Sequence, residues 1–160
     1  MRKFISIGIF LILSYTMHAQ GVGAERIINR YLEVTNAFRS GDVKQVKSTA
    51  ALLKASLFIY EDLSSSERKV YALHVKQLLY FADQLSATGN LELQRRLLAN
   101  ISPAIWELAK SAGETVNNYT YLYCPMRKAY WVSEKMEVSN PYYSGTMEAC
   151  GNIYESISKQ

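Results

Sequence analysis

The chain has 160 residues, 49% of them hydrophobic and 20% charged, with a formal net charge of +4. That length supports one domain with a packed core, and that balance excludes an intrinsically disordered chain. Arg2 and Lys3 account for two of the positive charges, so the remainder is too weakly basic to argue for nucleic acid or an anionic membrane surface as a partner.

Residues 1–19 read as a secretory signal peptide. Arg2 and Lys3 form the basic start, Phe4 to Tyr15 the apolar run, and Met17-His18-Ala19 a cleavage motif. The run is short for a membrane span. The expectation is an exported, periplasmic or otherwise secreted protein beginning near Gln20, with no stable membrane insertion after cleavage. Residues 20–160 then form a single domain, with a helical bundle over 24–113 and a smaller lobe over 114–160.

Helical periodicity runs from Ala24 to Gly113. Ile27, Tyr31, Val34 and Phe38 mark the first helix, which stops at Ser40-Gly41. Asp42 is placed to cap the second, whose stripe is Val43, Val46, Ala50, Leu53, Leu57 and Tyr60. Ser64 and Glu67 fit a capping box for the third helix, with Val70, His74, Leu78, Phe81 and Leu85 on one face. Asn90 opens the fourth, which carries Leu91, Leu98, Ile101, Ile105 and Leu108. Pro103 predicts a kink or break near Ser102. Short connections force neighbouring helices antiparallel, so the fold class is mainly α: an up-down four-helix bundle with a small C-terminal β-rich lobe.

The pattern changes after Gly113. Val116 to Tyr123 reads as a strand, ended by Cys124-Pro125. Ala129–Val132 and Lys135–Val138 fit short strands, Asn140-Pro141 and Ser144-Gly145 fit turns, and Thr146–Ile157 is expected to start as a short helix. Seven tyrosines and Trp131 lie between Tyr119 and Tyr154. They are expected to pack the lobe against the bundle.

Both cysteines are in this lobe, each close to a methionine: Cys124-Pro125-Met126 and Met147-Glu148-Ala149-Cys150. Two readings are open. In an oxidising compartment the pair fits a Cys124–Cys150 disulfide. Thiolate and thioether sulfur also suit soft ions such as Cu(I), with Cys124, Met126, Met147 and Cys150 as ligands. Zinc fits less well, since thioether is not among its usual ligands. His74 is the one histidine beyond the leader, and a lone histidine on a helix face is more often a boundary residue than a ligand. No nucleophile–histidine–acid arrangement or phosphate loop is visible, which points away from an enzyme. Glu61 and Asp62 are adjacent, and sequence neighbours do not face each other on a helix.

Cys124-Pro125-Met126, Ala129-Tyr130-Trp131, Asn140-Pro141-Tyr142 and Met147-x-x-Cys150-Gly151, with Gln94-Arg95 and Ile101-Ser102 on the fourth helix, together resemble the family known as domain of unknown function 3347. The resemblance spans roughly residues 25–157 by these motifs. It implies a small exported bacterial protein, or a relative of the C-terminal domain of periplasmic adaptors in copper and silver efflux pumps. Copper as Cu(I), or Ag(I), is the implied cofactor or cargo, and an efflux-pump adaptor or envelope protein the implied partner. Many members carry a polar insertion between Cys-Pro-Met and Ala-Tyr-Trp, whereas here only Arg127 and Lys128 intervene. The alternative to metal handling is an interaction domain, closed by a Cys124–Cys150 disulfide, that docks on such a partner.

Overall fold

In a computed structural model, residues 22–113, 117–143 and 147–158 are described. The expected leader, the proposed strand start at Val116 and the Ser144-Gly145 turn lie outside those residues. Four helices come first: α1 (Val22–Ser40), α2 (Val43–Ser56), α3 (Ser65–Ala87) and α4 (Leu91–Ala112). Three strands follow: β1 (Tyr119–Cys124), β2 (Ala129–Ser133) and β3 (Asn152–Ile157).

α2, α3 and α4 each start where a side chain can serve the amides that have no intrahelical partner. Asp42 Oδ1 accepts from the amides of Lys44 at 2.8 Å and Gln45 at 3.3 Å. Ser64 Oγ accepts from Glu67 N, and the Glu67 carboxylate accepts from Ser64 N at 2.6 Å, completing the capping box. Asn90 Oδ1 accepts from Leu93 N at 2.9 Å. Gly41 takes the left-handed conformation, with φ +68°, that stops α1 and turns the chain into α2.

α1 packs on α2 and α4, and α3 on the same two helices, which closes the bundle into a ring. Ile27, Tyr31, Val34 and Phe38 of α1 meet Val46, Ala50 and Leu53 of α2 in one core with Leu78, Leu85, Leu98, Ile101 and Ile105. No described helix is long and apolar enough to cross a membrane. The sheet is antiparallel with order β2-β1-β3. Its inner strand β1 and its edge β2 are buried, while β3 is exposed along nearly all its length.

Several local expectations are corrected. There is no break near Ser102, since α4 is helical through Pro103. That proline lies on the exposed face, where water can serve a carbonyl left without its amide partner. Tyr60 lies past the end of α2 and is exposed, stacking on Tyr71 instead of joining the stripe. On α3, Tyr71 and Ala82 are buried, while Val70, His74 and Phe81 are only half-buried. Lys135–Val138 is not a strand; both edges of β1 are already taken by β2 and β3. The helix expected from Thr146 is a turn at Met147–Ala149 followed by strand β3, and Thr146 itself is outside the described residues.

α4 is the element that fixes the sheet in place. Trp106 lies parallel to Tyr121 of β1, with ring centroids 5.0 Å apart. Tyr121 in turn stacks on Tyr130 of β2 at 4.8 Å. The pairing of β1 with β3 shifts between Tyr121 and Leu122, which face Glu155 and Ile153 respectively. Tyr154 is thus the extra residue of a bulge. Bulges re-aim side chains, and here Tyr154 and Glu155 both reach the Trp106 face. Tyr154 stands edge-on to Tyr121 and Tyr130, and Glu155 accepts from Trp106 Nε1 at 2.8 Å.

Candidate functional site

Strand topology brings the two cysteine-bearing segments together. Cys124 ends β1, and Met126 lies in the turn between β1 and β2. β3 runs antiparallel to β1, with Tyr123 opposite Asn152. The start of β3 therefore neighbours the end of β1. Cys150, two residues before β3, therefore approaches Cys124, and Met147 is joined to Cys150 by one turn. Sequence separation of more than twenty residues becomes adjacency at one sheet end.

The side chains differ in exposure. Cys124 is completely buried, Cys150 and Met147 are half-buried, and Met126 is 61% exposed. The two cysteines are unlinked thiols. Among the described residues no group of three or more His, Cys, Asp and Glu side chains could hold a metal ion. Any ion at this sheet end would therefore depend on two thiolates and methionine thioether. His74 takes no place there. It sits on α3, which packs on α2 and α4, whereas the sheet leans chiefly on α4.

The supports of this end are specific. Asn140 is fully buried. Its side-chain amide donates to the Cys150 carbonyl at 2.6 Å, and its amide N donates to the Glu148 carbonyl at 2.7 Å. Asn140 Oδ1 accepts from Tyr142 N at 2.9 Å. The Cys150 amide donates to the Met147 carbonyl at 3.1 Å. The sulfur turn is thus clamped between its own ends and Asn140. Gly151 lies where a Cβ would stand 2.6 Å from the Trp131 ring, so the chain passes Trp131 as closely as a backbone can. Sequence reading treats Asn140-Pro141 only as a turn. The local bond to Tyr142 N is the usual chemistry of such a turn, but the bond to Cys150 is not visible before folding.

The electrostatics of the turn are also set from a distance. Arg127 pairs with Glu92 in the first turn of α4. The guanidinium hydrogen bond holds the Glu92 carboxyl below its usual range. One of the two cationic charges beside the sulfur residues is thereby matched. Lys128 remains exposed, in a left-handed conformation with φ 52°.

Behind the sheet, Tyr31 links three elements. Its hydroxyl donates to Ser102 Oγ at 2.7 Å and accepts from Val132 N at 3.2 Å, while Ser102 Oγ donates to the Leu98 carbonyl. Tyr142 donates to the Tyr130 carbonyl of β2. Burial raises the phenol pKa of both Tyr31 and Tyr142.

No curated protein and no solved structure matches the chain. The model of the family described as Protein of unknown function (DUF3347) matches residues 27–117. Those residues run from the second turn of α1 past the end of α4 and make up more than half of the sequence. They stop short of β1, so Cys124, Met126, Met147 and Cys150 all lie outside the matched span. On the strength of its helical bundle, the chain belongs to the DUF3347 family.

Proposed function

We propose that this is an exported, periplasmic soft-metal binding protein, not an enzyme, that handles Cu(I) or Ag(I) in heavy-metal homeostasis or efflux. The observation that carries the reading is that the β1–β3 register brings Cys150 beside the Cys124 end of β1, with Met126 in the turn that follows Cys124 and Met147 in one turn with Cys150. Two unlinked thiols there supply the donors a soft cation prefers, and exposed Met126 offers a thioether on the solvent side. The Arg127–Glu92 pair reduces the repulsion that an arriving cation would meet. Cys124 is buried, so entry requires the turn at Met126 or the one at Met147 to give way. The cation is cargo, passed to or from an efflux adaptor or another envelope protein.

The test is a titration of the reduced protein with Cu(I) against a chromophoric chelator. Competition is expected for the native chain and is expected to collapse in the Cys124→Ser/Cys150→Ser double variant. Equal competition by both would overturn the proposal.

The same adjacency supports a second reading. Cys150 is next in sequence to Gly151, which lies opposite Cys124 if the β1–β3 register continues by one pair. In this reading the sulfurs close a disulfide, and the domain serves as a docking module for an envelope partner. Mass measurement before and after reduction separates the two. A quantitative loss of two protons in protein taken from its native compartment favours the disulfide.

A further inference from the structure

Arg39, in the last turn of α1, lines an open cleft of about 430 Å³ whose other wall is the segment between β2 and β3. That wall contributes Lys135, Glu137, Ser139 and Glu148. The volume falls within the roughly 300–1,000 Å³ of small-molecule sites. A smaller cavity adjoins it, sharing Arg39 and Lys135 and adding Glu134.

The charges in this cleft are not matched to one another. The Arg39 guanidinium has no hydrogen-bond or ion-pair partner among the described residues; its Nε is buried without one, as are those of Arg26 and Arg95. Other arginines of the chain with an available carboxylate use it: Arg26 pairs with Asp62, Arg30 with Glu33 and Arg127 with Glu92. The Lys135 ammonium forms no ion pair among the described residues either; only its backbone amide is bonded, to Ser133 Oγ. Glu148 accepts from Ser139 Oγ at 2.8 Å, and Glu137 has no cationic partner among the described residues.

We propose that this cleft binds a small zwitterion, of the free amino acid class. A simple anion would gain Arg39 and Lys135 but face the carboxylates of Glu134, Glu137 and Glu148. A simple cation would meet the reverse. A ligand carrying both charges a short distance apart gains on both walls. Its carboxylate would bind the planar guanidinium fork of Arg39, which suits bidentate recognition. Its ammonium would lie toward Glu137 and Glu148. Glu148 and Ala149 belong to the turn between Met147 and Cys150, so an occupied cleft would brace that turn. The inference does not depend on a metal binding there.

The experiment follows the Arg39 Nε–Hε signal and the amides of 135–139 by NMR in the ¹⁵N-labelled full chain. Three probes are titrated: L-alanine, acetate and ethylammonium. L-Alanine is expected to shift these signals saturably, at least about tenfold tighter than either single-charge probe. Arg39→Gln is expected to remove saturation. Lys135→Gln, on an exposed part of the loop, is expected to weaken it with the fold unchanged by circular dichroism. Overturning outcomes are no saturable shift with L-alanine, equal affinity for acetate and L-alanine, or undiminished binding in a folded Lys135→Gln or Arg39→Gln protein.

Discussion

Tyr31 shows how one side chain can hold two lobes together. The Ser102 hydroxyl spends its proton on the Leu98 carbonyl, so Tyr31 must donate to Ser102 and accept from Val132 N. Each hydroxyl in this relay donates once and accepts once. Tyr31→Phe would leave the buried Val132 amide with no acceptor, at a cost of about 1–3 kcal/mol. The denaturant midpoint should fall accordingly with the slope unchanged; an unchanged midpoint would refute the relay. The same burial gives a pH dependence. Tyr31, Tyr119, Tyr121 and Tyr142 all have phenol pKa values raised above the ordinary 10.0, with burial the largest cause. An unfolded chain ionises these phenols near pH 10, whereas the folded chain holds their protons. Above that pH the folded state binds more protons than the unfolded state, so stability falls as pH rises. Below it these groups contribute no pH dependence. Alkaline unfolding should therefore begin above pH 10 and be accompanied by phenolate absorbance at 295 nm; phenolate appearing from these residues while circular dichroism stays native would contradict the burial.

At the scale of elements, Gly151 decides where β3 begins. Its backbone dihedrals are not in the left-handed region, so the need for glycine is purely spatial. An added Cβ would meet Trp131 at 2.6 Å, Val138 at 3.2 Å and the Tyr123 carbonyl at 3.3 Å. Trp131 is fully buried and cannot swing away. Gly151→Ala is expected to cost about 1–3 kcal/mol as an overpacking substitution and to shift the amide resonances of 147–150. A neutral effect on both would mean that Trp131 yields more readily than its packing implies. This position also explains what could and could not be read beforehand. The helices were legible because their signals are local: Asp42, Ser64, Glu67 and Asn90 each act within three residues. β3 was not, because Gly151 and the Met147–Cys150 turn resemble a broken helix until Trp131 and β1 are beside them. The face of α3 was read only in part for a related reason. Tyr71 is selected by a bond to the Leu57 carbonyl of the preceding loop, a contact that no periodicity records. The two Cys/Met pairs were legible as composition, and the approach of Cys150 to Cys124 follows from a strand that was not. The Arg39 cleft left no trace in sequence, since its two walls are about a hundred residues apart.

For the whole molecule, the question is whether bundle and sheet form one cooperative unit. A small sheet needs an apolar face or a helix to pack against to be stable. Its burial comes from α4, through the Trp106–Tyr121–Tyr130 stack and the Trp106–Glu155 bond, and from α1 through Tyr31. The family match ends before β1, yet the contacts that bury β1 and β2 come from helices inside the matched span. This argues that the sheet is integral to the fold and not an appended module. Two tryptophans report on the two parts: Trp106 in α4 and Trp131 in β2, both buried. In Trp106→Phe protein the emission comes from Trp131 alone, while far-UV circular dichroism is dominated by the four helices. If the sheet unfolds only with the bundle, the two denaturation curves share one midpoint, lower than in the native chain because the stack and the indole bond are weakened. A Trp131 transition at clearly lower denaturant would show instead that the sulfur-bearing end opens by itself. That outcome would give the buried Cys124 thiol a route to solvent without global unfolding.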